Sequence, residues 1–538
     1  MKIKDNNKTK ISFVLGFCLI MGLILRLWAI NFGLPFFSHI DEEHYLPRAL
    51  RILRSQDLNP HYFRNPPLLT YLYSIVLFLY FVFGKLIGWF TSMRDFVELY
   101  FSNMTSFFVI ARTLNALFGV GICLVVYKVG KKLFDKITGL IASILVCSSF
   151  LMVRDSHYAV NDIPGTFFLI LSFSYIVSIY TQGRLKDYIL SGLFAGMAVA
   201  TKYNMGIIIF PLVLSHFFAN RGIVFYRNFI CAGLSCLIGF FLFCPWILLD
   251  YRTFWEQFAE QFMFSKRPWP GASSTPSYIQ YFFTLLWGYG LLPFCFFIIG
   301  SIFLSREKEK QKLLLILCCP LFYYLPLGAM KLFFVRFVIP LIPYLSILSA
   351  YGIISLAGRI SYKHRRVALV LLILVSISQG VIFSCKHNYL ISKTNTRIIA
   401  RNWINNNLPH GSKIVTEGYG PSLRVYYDKG RFMQNINNYQ VEEVGKKLSK
   451  SSLNEYKQQD INYIITSSYI SRRYLDRPDE YPRENEFYIT LEKEANQIFK
   501  ISPSQGKVPF YLDEVYSPFW NIFVLDKPGP TITIFQIH

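Results

Sequence analysis

Charge is what this chain has little of. Only 16% of its 538 residues are Asp, Glu, Lys or Arg, where a soluble domain carries about a quarter. Hydrophobic residues make up 53% and gather into uncharged runs long enough to cross a bilayer, which takes about 20 residues. This excludes a soluble globular protein and predicts a polytopic α-helical membrane protein. Cysteine is missing from the whole stretch 386–538. The ten cysteines sit in apolar runs or at their ends, without metal-ligand or redox spacing, so they read as small buried hydrophobes. An exported C-terminal domain must therefore fold without disulfides. There is no internal repeat and no low-complexity tract. No soluble stretch carries a basic patch with interleaved aromatics, so the net charge of +23 is not a nucleic-acid footprint.

The basic residues lie instead in short loops. About eleven spans are predicted, near 11–33, 104–127, 137–153, 163–181, 188–201, 203–219, 229–249, 277–304, 313–329, 337–358 and 367–385. Alternate connections carry Lys128, Lys131, Lys132 and Lys136, then Arg184 and Lys186, Arg221 and Arg227, Arg306 to Lys312, and Arg359 to Arg366. With Lys2, Lys4, Lys8 and Lys10 these fall on one side, which the positive-inside rule makes the cytoplasm. The N-terminal apolar run is long and lacks a small-residue cleavage site, so it reads as a retained first helix. Residues 66–90 are also long enough to span. If they did, every later basic loop would face outward, so an interfacial or re-entrant segment is expected there.

On this topology, the non-cytoplasmic face collects 34–103, 154–162, a turn at Lys202, 250–276, 330–336 and the tail from 386. Ionisable groups are expensive near a membrane and need a functional account. The first loop holds D-E-E at 41–43, with Tyr45 close behind, and R-N-P-P-L at 64–68. The second holds R-D-S-H-Y-A-V-N-D-I-P at 154–164. T-K-Y follows at 201–203, S-K-R-P-W-P-G at 265–271 and K-L-F-F-V-R-F-V-I-P-L-I-P at 331–343. The tail changes character. TNTRIIARNWINNNLPHGSKIV reads as helix, Pro-Gly turn and strand; INYIITSS and TITIFQIH read as further strands. Two domains are expected: a membrane domain over 1–385 and an extracytoplasmic α/β domain over 386–538.

In order and spacing, the motifs from 11 to 385 resemble the GT-C glycosyltransferases, in the branch of the protein O-mannosyltransferases and the lipid A aminoarabinose transferases. The resemblance implies an inverting enzyme that moves one sugar from a polyprenyl-phosphate donor to a protein, glycan or lipid acceptor at the outer membrane face. It implies Asp41 as the base, with Glu42 orienting it or holding the acceptor. Asp162, His157 and Tyr45 are expected near sugar or acceptor. Arg336, Lys331, Lys202, Arg64, Arg154 and Arg267 are expected as lipid-phosphate contacts. The chemistry is consistent: phosphate is already a good leaving group, so a base for the hydroxyl and cations for the departing charge suffice. Asn65 departs from the pattern, since relatives often place Lys or His before Pro-Pro-Leu. No cofactor and no catalytic metal are expected. The metal-dependent oligosaccharyltransferases carry a W-W-D signature, and this chain has no such triplet. A divalent ion at Asp41, Glu42 and Asp162 stays open, because hard cations favour carboxylates. The other reading is a flippase of lipid-linked sugars, which predicts pseudo-repeats and broken helices at midplane. Neither is visible in the sequence.

Overall fold

The computed structural model describes residues 7–36, 39–219, 224–266, 269–423, 427–428, 431–432, 439–446 and 448–537. It is a bundle of apolar helices followed by an α/β unit. Among the described residues, seven helices are long and apolar enough to cross a membrane, and an eighth if one sharply bent pair counts as a single span. The protein is an integral membrane protein on these helices and on the fold reported below. Several of the eleven expected spans are shorter helices, among them Lys136–Ser148 and Tyr203–Ala219.

One segment departs from expectation. The run 277–304 is not one straight helix. It breaks into Ser277–Gly288 and Leu291–Ser305, bent by 108°, at Gly290, whose φ of 122° and ψ of 142° lie in a region open essentially to glycine. The segment 66–90 forms the helix Leu68–Leu86, which passes the length and hydropathy test for a span. Its contacts lie toward one end of its neighbour Thr105–Leu133. Tyr73 donates to Asn115, and Tyr80 packs on Phe107. The two helices are antiparallel, and the later part of Leu68–Leu86 runs on past the N-terminus of its neighbour.

The last long helix, Tyr362–Ile391, leads into a five-stranded sheet. We number its strands β1 (Ser412–Glu417), β2 (Tyr439–Gly445), β3 (Tyr463–Ser467), β4 (Asn496–Ile501) and β5 (Ile532–Gln536). Their order is β2-β1-β3-β5-β4, with β1 parallel to both neighbours and β5 antiparallel to both of its own. Adjacent strand residues face opposite ways, and both faces are used. Ile414, Ile465 and Ile534 pack against Ala400 and Ile404 of the helix Thr396–Asn407. Val415, Ile464 and Phe535 pack on the other face, against Ile470, Phe487 and Leu491. The predicted helix, turn and three strands are all present.

Between β4 and β5 the chain leaves the sheet and docks on the bundle. Phe519, fully buried, stacks on Phe150 at 5.4 Å. The Trp287 indole N–H donates to the Phe519 carbonyl at 2.9 Å. This excursion brings the C-terminal part to the site.

Candidate active site

Four polar side chains meet at one end of the bundle. Asp41 lies on the 3-10 turn Ile40–His44, just after the first helix. Asp162 opens the helix Asp162–Thr181, where the N-terminal dipole favours a carboxylate. Lys202 caps the end of Leu185–Thr201. Arg336 sits on the 3-10 turn Val335–Leu341, ahead of the helix Ile342–Ala357. Arg336 Nη2 is 2.9 Å from Asp41 Oδ2, and its Nε is 3.7 Å from Asp162 Oδ2. Lys202 Nζ is 2.5 Å from the other Asp162 oxygen. One guanidinium therefore spans both acids, using the forked donor geometry that lysine lacks. Asp162 is buried, whereas Asp41 keeps 19% of its side chain exposed, so Asp41 is the more reachable acid.

Aromatic rings hold the two cations. The Arg336 guanidinium lies between Phe334 and Tyr516, 4.5 and 4.4 Å from the ring centres, and Lys202 Nζ lies 4.7 Å from that of Phe337. Such contacts gain strength when water is excluded.

Neighbouring residues in the same motifs take other tasks. Glu42 is fully buried and turned away from Arg336. Its carboxylate accepts from Arg112 Nε and Nη2, both at 2.8 Å, from the Ala159 N–H at 2.8 Å and from the His39 N–H at 2.9 Å. Arg112 also donates to the Ile30 and Phe32 carbonyls. Glu42 thus pins the first loop to the second, and every one of its acceptor positions is committed to the fold. His39 caps the turn by accepting from the Asp41 N–H and stacks on Tyr158 at 4.5 Å. Burial first, and then the surrounding arginines, hold its imidazole well below the usual range.

The remaining expected contacts are dispersed. Arg154 is buried in ion pairs with Asp155 and Asp513, at 2.8 and 3.0 Å, and is not open to a lipid phosphate. The His157 ring lies between the Val153 and Trp28 carbonyls, away from the cluster. Tyr45 packs in a small apolar core with Leu46, Leu69 and Tyr73. Arg64 is exposed and pairs with Glu260 at 2.7 Å. Lys331 is exposed and outside the four-residue cluster. Arg267 lies outside the described residues, as do Lys2, Lys4 and Arg221 of the basic loops. Asn65, where relatives often carry a cation, accepts from Asn161 Nδ2 at 3.2 Å. The same Asn161 amide bonds the Thr201 carbonyl, so Asn65 supports the Asp162–Lys202 junction through hydrogen bonds. Among the described residues no group of three or more His, Cys, Asp or Glu has metal-site geometry.

Sequence reasoning missed two residues from the far end of the chain. Asp513 accepts from the Val335 N–H at 3.0 Å with one oxygen and from Arg154 at 3.0 Å with the other. It thereby anchors the turn that carries Arg336. Tyr516, three residues on, supplies the ring beneath Arg336. Nothing local in LDEVYSPFW marks either residue. Only the excursion between β4 and β5 brings them here.

The fold is of the GT-C type, shared with the solved structures that follow. ArnT from Cupriavidus metallidurans, solved bound to undecaprenyl phosphate, superposes with a TM-score of 0.55 over 98% of both chains at 11% identity. The Archaeoglobus fulgidus oligosaccharyltransferase in its apo form gives 0.55 over 95% of this chain and 77% of that one, at 13% identity. The archaeal oligosaccharyltransferase AglB from the same organism, solved with an inhibitory peptide and a dolichol-phosphate, gives 0.54 over 94% and 75% of the two chains, at 13% identity. In sequence, residues 96–248 match the family described as dolichyl-phosphate-mannose-protein mannosyltransferase. That stretch contains Asp162 and Lys202 but neither Asp41 nor Arg336. An uncharacterized protein of Aquifex aeolicus (strain VF5) is 24% identical over 249 residues, 44% of this chain and 48% of that one. The match thus spans about half the length of that relative.

Proposed function

We propose that this protein is an inverting glycosyltransferase that moves a single sugar from a polyprenyl-phosphate-linked donor to an acceptor hydroxyl on a protein, glycan or lipid. The observation that carries this reading is the single cluster of Asp41, Arg336, Asp162 and Lys202 at one end of the helical bundle. Asp41 accepts the hydroxyl proton while the acceptor oxygen attacks the anomeric carbon. The bond from that carbon to the phosphate oxygen breaks on the opposite face, and its electron pair leaves with the phosphate. One displacement gives one inversion. Arg336 and Lys202 face the growing phosphate charge, where fixed cations in a water-poor site do most for the transition state. Arg336 keeps spare N–H donors while holding Asp41, because a guanidinium carries five. Asp162 fixes Lys202 and orients Arg336. The lipid tail stays among the apolar helices while the sugar reaches the polar end. We place that end and the α/β domain on the non-cytoplasmic face, from the distribution of basic loops. Solved relatives in complex with undecaprenyl phosphate and dolichol-phosphate support the donor class.

The test is sugar transfer in membranes from a radiolabelled polyprenyl-phosphate-sugar pool, comparing wild type with Asp41→Asn, which removes the base and keeps the shape. Transfer in wild type should fall at least about a hundredfold in the variant, the usual scale for losing a positioned general base. Equal transfer in both would remove Asp41 from the chemistry. No transfer in either, with labelled lipid crossing the bilayer, would favour a flippase.

A further inference from the structure

The α/β domain contains a cavity of about 310 Å³ separate from the four-residue cluster. Small-molecule sites run from roughly 300 Å³ upward, so one sugar ring is a fitting occupant by size. Its walls come from the helix Ser468–Leu475, the helix Pro482–Glu494, strands β4 and β5, and the excursion that follows β4. Tyr469, Tyr488 and Tyr511 line it, together with the hydroxyl-bearing Thr531 and Thr533.

One lining group is conspicuously unsatisfied. Glu514 is 5% exposed. Its Oε1 accepts the backbone N–H groups of Phe519, Trp520 and Asn521, at 3.2, 2.8 and 3.0 Å. Its Oε2 is buried without a hydrogen-bond partner. A buried polar atom left unpaired costs roughly 1–3 kcal/mol and calls for a reason. Burial also pushes this carboxyl up to about 7, so it can accept or donate a hydrogen bond near neutrality.

The lining chemistry narrows the ligand. The guanidinium of Arg472, which borders the cavity, is already held by both Asp476 oxygens and the Val508 carbonyl. The other charged lining groups are two carboxyls, Glu492 and Glu514, against two lysines, Lys500 and Lys507. Neither sign of charge is offered in excess, which argues against an anion or cation as the natural occupant. Aromatic rings, neutral hydroxyls and one carboxyl with a free oxygen suit a neutral polyhydroxylated ring, whose C–H face lies on an aromatic and whose hydroxyls pair with the carboxyl. We infer that this cavity is a saccharide-binding site and that the Glu514 carboxyl in its wall pairs with a hydroxyl of the bound sugar.

The site is wired to the polar cluster through the chain itself. Glu514 stands between Asp513, which anchors the Arg336 turn, and the Val515–Tyr516 pair, whose tyrosine underlies Arg336. Because the binding chemistry is read from the cavity alone, the inference stands whether or not the transfer reaction does.

The experiment uses full-length protein in nanodiscs and saturation-transfer difference NMR with a panel of methyl glycosides: mannoside, glucoside, galactoside, arabinoside and N-acetylglucosaminide. At least one should bind saturably. Glu514→Gln and the near-isosteric Thr533→Val should each weaken it about tenfold, with Asp41→Asn unchanged. Three outcomes would overturn the assignment: no saturable glycoside in wild type; unchanged affinity in both cavity variants; or loss in Asp41→Asn with retention in Glu514→Gln, which would put the sugar at the polar cluster instead. A wild-type melting profile for Thr533→Val guards against misfolding as the cause of lost binding. Loss of transfer in Asp41→Asn with glycoside binding intact separates this site from the transfer chemistry.

Discussion

Asp41 and Glu42 are neighbours in sequence, and the structure gives them opposite jobs, which a single pair of substitutions can expose. Glu42→Gln removes the negative charge from a carboxylate that meets Arg112 with both partners fully buried. It also turns one acceptor into a donor facing Arg112 Nη2, Arg112 Nε or the Ala159 and His39 N–H groups. Breaking a buried ion pair on one side leaves an uncompensated charge and costs about 3–5 kcal/mol. That is roughly two to four orders of magnitude in the equilibrium for opening this end of the bundle. The assay is thermal unfolding in detergent, read with a thiol-reactive dye. Cys123, Cys147, Cys244 and Cys319 are buried and become reactive only on unfolding. Glu42→Gln should melt well below wild type, and Asp41→Asn, whose partner Arg336 keeps Asp162 nearby, should melt close to it. The double variant Glu42→Met/Arg112→Met should lose less than the two single changes added together, because no buried charge is stranded. It should not return fully to wild type, since the Ala159 N–H and the Ile30 and Phe32 carbonyls lose their partners. A Glu42→Gln protein with wild-type melting and abolished transfer would refute the structural role and return Glu42 to the chemistry.

Two further outcomes follow from the same geometry. Asp513→Asn weakens the anchor on the Val335 N–H and Arg154, so transfer should fall about ten- to hundredfold in kcat, a loss of roughly 1.4–2.7 kcal/mol, with little change in donor binding; an unchanged kcat would show that the Arg336 turn holds itself. His39 is buried among Arg336, Arg154, Arg112 and Arg397 and titrates well below its ordinary 6.5, with the Tyr158 and Tyr516 rings against it. The fold therefore accepts only neutral His39, and its contribution is complete above about pH 6.5 and lost as pH falls, by up to about 1.4 kcal/mol per pH unit. Glu417 works the other way: burial raises its carboxyl to about 8, which costs stability as pH rises from about 4.5. The measurement is thus a difference: between pH 7.5 and 5.5 His39→Asn should lose less melting temperature than wild type, and parallel curves would contradict the assignment.

Much of the architecture was legible because its signals are local. Apolar runs mark the helices at 163–181, 313–329 and 337–358, and the alternation in INYIITSS and TITIFQIH marks two strands. The break at Gly290 was hidden because a glycine inside an apolar run is compatible with a continuous helix, and only its positive φ reveals the turn. The helix Leu68–Leu86 shows the opposite limit: its composition alone permits a span, and only its contacts with the first turns of Thr105–Leu133 show how far it runs beside the bundle.

By itself, the sequence determined that the chain lives in a membrane, that its polar motifs recur at loop positions, and that Asp41, Asp162, Lys202 and Arg336 were among the candidates. Tertiary structure alone decided which candidates meet. A 3-10 turn advances about 120° per residue, so side chains 41 and 42 leave it in different directions, one toward Arg336 and the other toward Arg112. Asp513 and Tyr516 join the site because a strand-to-strand excursion docks on the bundle. Spacing along a chain fixes adjacency in sequence, while the direction of a side chain and the partner it meets are properties of the packed whole.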